Sequence, residues 1–182
     1  MPLTIRRAAR TDADPLHELA ARTFGLSCPP GMRQSDIDAF IARHLSRADF
    51  DRHLVDPDRI VLIAEADGAP VGYSMLARGP IADPAVAALV DEKTSIELSK
   101  FYLAADRHGS GAAARLMADT LAVAAGTGAE SCWLGVNQQN VRAARFYAKH
   151  GFRVIGVKRF LVGDQWCDDH VRLRPLDQGT IT

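Results

Sequence analysis

Cysteine is scarce in this sequence: the 182 residues include only Cys28, Cys132 and Cys167, and the three lie far apart. They form no Cys-x-x-Cys pair, and none has the spacing to the six histidines that a zinc site needs. This pattern argues against a disulfide framework and a metal site, and it predicts reduced, buried thiols. Cys132 lies in an apolar run with no adjacent histidine, so a structural thiol is favoured over a covalent nucleophile.

An excess of either charge is also absent, since 22 basic residues balance 22 acidic ones. The balance argues against bulk binding of nucleic acid or of an anionic membrane surface. No apolar run approaches the roughly 20 residues that span a bilayer, and the segment Met1–Arg7 lacks the apolar stretch of a signal peptide. We therefore expect a cytoplasmic protein that acts without nucleic acid or membrane.

Repeats, low-complexity tracts and linkers are missing too, and 182 residues suffice for one domain with its own core. The hydrophobic pattern and the turn residues predict the order β-α-α-β-β-β-α-β-α-β-β, an α/β fold with one mixed sheet and helices on both faces. Strands are predicted at Leu3–Ala8, Arg59–Glu65, Pro70–Leu76, Ser95–Leu103, Ser131–Val136, Phe152–Val162 and Trp166–Leu173. One helix is predicted from Thr11, with a capping pattern to Asp14, and another from about Ser35. Two further helices are predicted, one from the glycine turn to Gly126 and one from Asn140 to His150. Shorter helical turns are predicted within Phe50–Val55 and Gly79–Asp91.

The segment from Ser95 to Met117 carries the strongest functional signal. A predicted strand is followed by His108-Gly109-Ser110-Gly111 and then by an alanine-rich helix. The two glycines leave backbone N–H groups uncovered and the helix N-terminus adds partial positive charge, which together predict a phosphate or pyrophosphate site. A Walker A loop is excluded because alanines follow the last glycine, where Lys and Ser or Thr are required. A Rossmann fingerprint is excluded because its third glycine and downstream acid are missing.

A second group of residues lies on the predicted helix from Asn140 to His150. Asn140, Ala143 with Ala144, and Tyr147 follow the spacing i, i+3/i+4 and i+7, so they share one helix face. That face combines a polar anchor, a small residue that permits close approach, and a phenol. Taken alone, the pattern favours a half-buried core tyrosine over a catalytic one.

Together these segments resemble the GNAT superfamily of acetyl-CoA-dependent N-acetyltransferases. The motifs that carry the resemblance are Glu97-Leu98-x-Lys100-x-Tyr102-Leu103, the His-Gly-Ser-Gly-Ala turn, and Asn140-x-x-Ala143-x-x-Phe146-Tyr147-x-x-x-Gly151-Phe152. They cover Ser95–Phe152 and, with the flanking hairpins, the resemblance spans most of the chain. It implies a central, mostly antiparallel, splayed sheet flanked by helices on both faces, and a single acetyltransferase domain over residues 1–182. Trp133–Val136 and the ending Phe160–Val171 are similar to bacterial polyamine (spermidine/spermine) acetyltransferases.

The resemblance implies acetyl-CoA as cosubstrate and direct attack of a primary amine on its thioester in a ternary complex. Glu97 is then the candidate base, directly or through water, and Tyr147 the candidate acid for the departing thiolate. For Glu97, a solvent-facing strand acid or a partner of Lys100 stays open as an alternative. Backbone N–H groups around Phe101–Leu103 would meet the oxyanion. The cofactor-binding residues implied are Phe101, Tyr102, Leu103, Arg107, His108, Gly109, Ser110, Gly111, Ala112, Ala113, Asn140, Ala143, Phe146 and Tyr147.

One position departs from the family pattern. Asp106 stands three residues before the first loop glycine, where the family usually carries Gln or Arg, and it puts an acid beside the expected pyrophosphate. Arg107 and His108 are adjacent and offset that charge.

The acceptor is expected to meet the segment Phe24–Asp51. Its acids Asp36, Asp38, Asp49 and Asp51 are candidates to bind a polycation or, alternatively, to cap helices. Acceptors other than a polyamine are an aminoglycoside, an amino acid or a protein amine, and a different class is a non-catalytic acyl-CoA-binding sensor. Tyr147 favours catalysis, whereas Asp106 favours the sensor. The edge strands of the C-terminal hairpin favour a homodimer.

Overall fold

Seven strands form one sheet within residues 2–177, the part of the chain that this computed structural model describes. The strand order is β1-β2-β3-β4-β5-β7-β6, and every neighbouring pair is antiparallel except β4 and β5. The strands are β1 (Leu3–Arg7), β2 (Arg59–Ala66), β3 (Ala69–Ala77), β4 (Ser95–Leu103), β5 (Ser131–Asn137), β6 (Arg153–Val162) and β7 (Gln165–Pro175). The helices of the same residues are α1 (Ala13–Thr23), α2 (Gln34–His44), α3 (Arg47–Val55), α4 (Pro84–Ala87), α5 (Ala112–Gly126) and α6 (Val141–Lys149).

Helices cover both faces of the sheet, which confirms the predicted fold class. On one face, Leu16 and Leu19 of α1 and Phe50 of α3 are fully buried against Ile63 and Tyr73. Burial of each such side chain contributes ~1.5–3 kcal/mol to stability. On the opposite face, α5 buries Met117 and Leu121 against β4 and β5, and α6 packs beside them.

The hairpin of β2 and β3 forms as predicted. Asp67 and Gly68 both have positive φ values, 55° and 76°. Positive φ at both central residues is the requirement of a type I′ turn, which the right-handed twist of the strands favours. The β3 strand is further tied to α5 by a buried hydrogen bond of 2.7 Å between the hydroxyls of Ser74 and Thr120.

The sheet splits between β4 and β5. Their parallel ladder has only three pairs and ends at Glu97 with Trp133, although β4 continues to Leu103 and β5 to Asn137. On its other edge β4 carries a bulge, because Met75 pairs with Lys100 and Leu76 with Leu98, which leaves Ser99 unpaired. Bulges bend a strand and increase its twist. The carboxyl halves of β4 and β5 therefore diverge, and within the described residues the backbone of β4 beyond Glu97 has no strand partner on that side.

Two local predictions need correction. The capping pattern from Thr11 to Asp14 is wrong: the Asp12 carboxylate accepts a hydrogen bond from the Ala9 N–H at 2.7 Å and pairs with Arg6, so Thr11 lies in a 3-10 turn before α1. The short turn expected at Phe50–Val55 is a full helix that begins at Arg47.

The cysteines lie as expected for structural thiols. All three are free; Cys132 and Cys167 are buried and Cys28 is half-buried. Burial raises the pKa of Cys132 to about 12, which keeps the thiol protonated at neutral pH. Among the described residues, no helix is both long and apolar enough to cross a membrane, and no group of three or more potential metal ligands is found.

Candidate active site

A cleft of about 730 Å³ opens where β4 and β5 diverge. One half of the cleft lies between the carboxyl ends of these strands, the loop before α5, and α6. The other half lies between the end of α1, the helices α2 and α3, and the hairpin of β6 and β7. We call these the loop half and the hairpin half.

The loop half contains a run of uncovered backbone N–H groups. Gly109 and Gly111 have φ values of +81° and +85°, and Gly111 directly precedes α5 without a capping side chain. Within the described residues, the N–H groups of Gly109, Gly111, Ala113 and Ala114 have no hydrogen-bond acceptor. These donors point from the N-terminus of a helix of 15 residues. This is the arrangement that binds phosphate groups in proteins.

The same loop is tied to its surroundings through His108. The Nε2 atom of His108 lies 3.2 Å from the Leu103 carbonyl oxygen, and its Nδ1 lies 2.7 Å from Nη1 of Arg142. A carbonyl and a guanidinium fix the tautomer, so Nε2–H donates to Leu103 and Nδ1 accepts from Arg142. The loop is thereby held between the end of β4 and the start of α6.

Tyr147 lines the loop half of the cleft. Its ring packs edge-on against Phe101 and Phe152 at centroid distances of 6.3 and 5.8 Å. Its hydroxyl makes no hydrogen bond within residues 2–177, and burial raises the pKa of the phenol above its usual value. The hydroxyl therefore stays protonated and free to donate to a group bound in the cleft.

Asn140 has a structural role at the start of α6. Its Oδ1 accepts a hydrogen bond from the Ala143 N–H at 3.0 Å and so caps the helix. This cap sets the position of the helix face that carries Ala143 and Tyr147.

Glu97 lies at the junction of the two halves, at the last pair of the β4–β5 ladder. Burial raises the pKa of its carboxyl above the usual value, while Lys158, Lys100 and Arg59 act in the opposite direction. The carboxyl makes no hydrogen bond or close ion pair within the described part of the chain. The alternative in which Lys100 neutralises it in a salt bridge is therefore not what the structure contains.

Lys100 also lines the cleft, one strand position beyond the bulge. Burial lowers the pKa of its amine, and nearby Glu97 and Asp49 partly offset that effect. The nearby His53 imidazole has a pKa lowered to about 4 by burial and by the charges of Lys100 and Arg59, so it is neutral at pH 7.

Aromatic rings wall the hairpin half. The rings of Phe24 and Phe40 stack with centroids 4.5 Å apart, and Phe160 of β6 packs edge-on against Phe40 at 5.7 Å. These rings join α1 and α2 to the C-terminal hairpin across the cleft.

The hairpin half also holds two opposite charges on neighbouring strands. Lys158 of β6 and Asp169 of β7 are cross-strand partners, and Asp169 is itself paired with Asn137 of β5. Asp169 is 7 % exposed. Burial raises the pKa of its carboxyl to about 6, although Lys158 lowers it.

Most residues predicted for the site are brought to one cleft. Those that line it are Glu97, Phe101, Tyr102, Leu103, His108, Gly109, Ala113, Asn140, Ala143, Phe146 and Tyr147. Four predicted cofactor residues do not line it: Arg107, Ser110, Gly111 and Ala112. Ser110 is occupied locally, since its Oγ donates to the Arg107 carbonyl at 2.6 Å and accepts from Ala112.

The acids expected to meet a polycation are largely used within the fold. Asp36 pairs with Arg33, Asp51 with Arg47, and Asp38 accepts from Gln34. Asp49 is the one of the four that lines the cleft, and its carboxylate caps α3 through Ser46. Helix capping and surface pairing therefore account for these positions.

Asp106, the residue that departs from the family pattern, does not line the cleft. Its side chain is 73 % exposed and lies 3.6 Å from Nε of Arg107. Its charge is therefore directed to solvent and to its neighbour.

Three charged residues that line the cleft, Arg142, Lys158 and Asp169, were not predicted as site residues from the sequence. Contacts between residues far apart in the sequence bring these side chains to the cleft. Arg142 contacts His108, 34 positions away. Lys158 and Asp169 reach the cleft through the register of β5, β7 and β6. The sequence Phe160–Val171 carried a signal for this region only as a family similarity.

Comparisons with known proteins agree with this geometry. A family model described as the acetyltransferase (GNAT) family matches residues 15–152. An uncharacterized N-acetyltransferase of Mycobacterium tuberculosis is 48% identical over 166 residues, which cover 91% of this chain and 99% of the relative.

Solved structures show the same fold. The PaiA N-acetyltransferase of Thermoplasma acidophilum, solved in complex with coenzyme A, matches with a TM-score of 0.78 at 22% identity over 96% of this chain and 99% of that chain. An acetyltransferase of Salmonella typhimurium, yncA, solved with its cofactor acetyl-CoA, matches with a TM-score of 0.68 at 20% identity over 100% of this chain and 98% of that chain. At these identities the likeness establishes the fold.

Proposed function

The chain belongs to the acetyltransferase (GNAT) family, and from this premise we propose that it transfers the acetyl group of acetyl-CoA to a primary amine. The reaction is direct attack in a ternary complex, in a single domain over residues 1–182. One observation carries the proposal: within the described residues four N–H groups are uncovered around the start of α5, and two of their residues, Gly109 and Ala113, line the cleft that also contains Glu97 and Tyr147. A pyrophosphate site, a carboxylate and a phenol are the groups that this transfer needs.

The loop half suits acetyl-CoA. The N–H groups before and within the first turn of α5 would bind the pyrophosphate, with Arg142 adding a cation beside His108. The unpaired backbone of β4 beyond Glu97 would bind the extended pantetheine arm and polarise the thioester carbonyl. The ring of Phe101 and the small Ala143 line the path between them.

Glu97 is the proposed base. An alkyl ammonium has a pKa near ~10, so at neutral pH it must lose a proton before it can attack. Glu97 lies where β4 and β5 separate, and no hydrogen bond from residues 2–177 occupies its carboxylate. Its raised pKa makes it a better proton acceptor than an ordinary surface carboxylate.

Tyr147 is the proposed acid. The leaving thiolate of coenzyme A needs a proton; Tyr147 lines the cleft, and its hydroxyl has no hydrogen-bond partner among the described residues. Because a phenol is a weaker acid than a thiol, complete transfer to the free thiolate is unfavourable, and Tyr147 would give its proton only transiently as the carbon–sulfur bond breaks. The phenol also positions the sulfur by hydrogen bonding before the transfer.

A polyamine is the acceptor we propose first. The observation that favours it is the presence of two carboxylates in the cleft, the half-buried Glu97 and the buried Asp169, beside the aromatic wall of Phe24, Phe40 and Phe160. Carboxylates and aromatic rings are the groups that bind alkylammonium ions. An aminoglycoside, an amino acid or a protein amine remain as alternatives for the same chemistry.

Calorimetry with acetyl-CoA, followed by a panel of amines monitored for release of the free thiol, tests the proposal. We expect micromolar binding of acetyl-CoA and thiol release that depends on an aliphatic amine. Binding without turnover on any amine would favour an acyl-CoA sensor instead, and absence of binding would reject both functions.

A homodimer is part of the proposal. Strand β6 is an edge of the sheet, and Val154, Val157, Leu161 and Trp166 of its hairpin are between 43 % and 57 % exposed. An apolar edge strand is suited to pair with a second copy of itself. Sedimentation at several concentrations tests this, and a monomer at all of them would reject it.

A cytoplasmic location is likewise proposed. It is supported by the free thiols of Cys28, Cys132 and Cys167, which suit a reducing compartment. Fractionation of cells that produce the protein tests it.

A further inference from the structure

The Asp169 carboxylate is buried and has no hydrogen-bond donor. It is 7 % exposed, it lines the hairpin half of the cleft, and no donor of residues 2–177 reaches it. Buried carboxylates are normally hydrogen-bonded or paired, because removing the charge from water is costly. A carboxylate of a largely buried residue that lines a cleft and accepts no hydrogen bond from the described residues is suited to a cationic ligand.

Lys158 crosses the neighbouring strand to reach this region. A Cβ atom at Gly135 of β5 would lie 2.5 Å from Cε of Lys158, 3.1 Å from its Nζ and 3.5 Å from Oδ2 of Asp169. Because glycine has no side chain, the end of the Lys158 side chain occupies the space directly above Gly135. The ammonium also lies 6.0 Å from the Trp133 ring and 5.7 Å from the Phe160 ring.

The end of Lys158 is itself a primary ammonium on an aliphatic chain. Its charge lowers the pKa values of both Asp169 and Glu97, so it lies within electrostatic reach of both carboxylates. Neither carboxylate forms an ion pair of 4.0 Å or less with it among the described residues, so Lys158 is near these acids without being locked to either of them. Nothing in its contacts prevents it from moving aside.

We propose that Asp169 binds an aliphatic ammonium of the acceptor, and that Lys158 is the resident cation which the acceptor displaces from the space above Gly135. The inference rests on the proposed acetyltransferase function and names the acceptor class of the same site. The acceptor class we infer is a diamine, with one ammonium at Asp169 and the other amine directed to Glu97, the proposed base, because both carboxylates line the same cleft. Asp169 is thus an acceptor-binding residue.

The two side chains should have opposite effects on acceptor binding. Asp169→Asn keeps the size of the side chain and removes the charge, so binding of a cation should weaken. Lys158→Met keeps much of the length and removes the competing cation, so binding should strengthen. If Asp169 and Lys158 had a purely structural role, both substitutions would change the Kd of the acceptor in the same direction.

The probe is 1,4-diaminobutane, titrated into the wild-type chain and into each variant with coenzyme A present, by calorimetry. Relative to wild type, we expect the Kd to rise at least ten-fold in Asp169→Asn, as for loss of a charged hydrogen bond, and to fall several-fold in Lys158→Met. Asp168→Asn is the matched control, because Asp168 is adjacent and exposed, and it should leave the Kd unchanged.

Thermal unfolding and the Kd of coenzyme A are measured for each variant, so that loss of folding or of the cofactor site is recognised. An unchanged diamine Kd in Asp169→Asn, a weaker one in Lys158→Met, or no diamine binding to the wild-type chain would overturn the inference while leaving the acetyltransferase function intact. Failure of the wild-type chain to bind coenzyme A would instead count against the proposed function.

Discussion

Arg142 donates a hydrogen bond of 2.7 Å from Nη1 to Nδ1 of His108, and this contact joins the start of α6 to the loop before α5. The two residues belong to different elements of the loop half, and both line the cleft. The guanidinium therefore stands beside the uncovered N–H groups of the loop. Its remaining donors are free for the bidentate recognition of phosphate that arginine geometry favours.

Replacing Arg142 with Ala should weaken binding of coenzyme A about three- to ten-fold. The change removes one exposed cation next to the proposed pyrophosphate site and the contact that holds His108, and an exposed ionic interaction is worth up to about 1 kcal/mol. Arg145→Ala is the matched control, since Arg145 is an exposed residue of the same helix that does not line the cleft. If both substitutions weakened coenzyme A binding equally, the effect would come from the net charge of the protein and not from the position of Arg142.

Tyr147→Phe should lower kcat by about 10²-fold, the usual contribution of a positioned proton donor, and leave the Kd of acetyl-CoA nearly unchanged. The ring contacts with Phe101 and Phe152 remain in the variant, so only the hydroxyl is lost.

Tyr73→Phe serves as the control for the loss of a phenol. The Tyr73 hydroxyl is buried without a partner and does not line the cleft, so its removal should leave kcat unchanged. Unchanged turnover in Tyr147→Phe would remove the acid role from Tyr147.

The value of kcat/KM should depend on pH through the deprotonation of the Glu97 carboxyl. A base works only when deprotonated, so the rate should rise with pH through the pKa of its carboxyl and then level. Because burial raises that pKa, the midpoint of this rise should lie above the usual 4.5. In Glu97→Gln most of the activity should be lost, and the remaining activity should not rise with pH in this range. Glu130 is exposed and lies outside the cleft, so Glu130→Gln should keep both the activity and its rise with pH. Persistence of the same rise in Glu97→Gln would assign it to another group.

Local sequence patterns predicted the sheet and the loop half of the cleft. Asp67-Gly68 predicted the turn of the β2–β3 hairpin, and Gly109 and Gly111 predicted the loop before α5. These predictions needed only local sequence, because glycine adopts the positive φ values of such turns without a steric penalty. One local signal was overlooked: Ser46 and Asp49 form a reciprocal capping box, which starts α3 at Arg47.

The hairpin half could not be predicted in the same way. Lys158, Gly135 and Asp169 meet only because β6, β7 and β5 are neighbours in that order, and the position of each along its strand decides which residues share a face. The helix start near Thr11 was wrongly predicted for a different reason, since the Asp12 carboxylate accepts from the N–H of Ala9 and pairs with Arg6 of β1. Both contacts are local in sequence, and this signal was also overlooked.

Gly135→Ala should alter acceptor binding while the fold is kept. The added Cβ would meet the flexible end of Lys158 at 2.5 Å, so the lysine must move out of the space it now fills. Because the added methyl fills the space that the acceptor would also enter, we expect the Kd of 1,4-diaminobutane to rise several-fold, with the Kd of coenzyme A unchanged. Gly126→Ala, where no atom lies within 4 Å of the new Cβ, is the control. A diamine Kd equal to that of wild type would contradict the displacement of Lys158.

Asp169→Asn should make the protein more stable at pH 7.5 even though it weakens acceptor binding. Burial raises the pKa of the folded carboxyl to about 6 from the usual 3.8, so between these values the unfolded chain loses its proton while the folded one keeps it. The unfolded state then binds fewer protons, and stability falls as pH rises through this window.

Above pH 6 the folded wild-type chain carries the full penalty of the buried charge, which the amide of Asp169→Asn avoids. One pKa unit corresponds to about 1.4 kcal/mol, and an unbonded amide is itself costly to bury, so we expect a gain on the order of 1–2 kcal/mol. For a chain of this size that is about 3–6 °C in Tm. At pH 4 the gain should disappear, because the wild-type carboxyl is then protonated in the folded chain. Thermal unfolding of the wild type, Asp169→Asn and Asp168→Asn at pH 4 and 7.5 measures this difference. A Tm of Asp169→Asn that does not exceed that of wild type at pH 7.5 would mean that Lys158 already compensates the Asp169 charge, and that no uncompensated carboxylate awaits an acceptor.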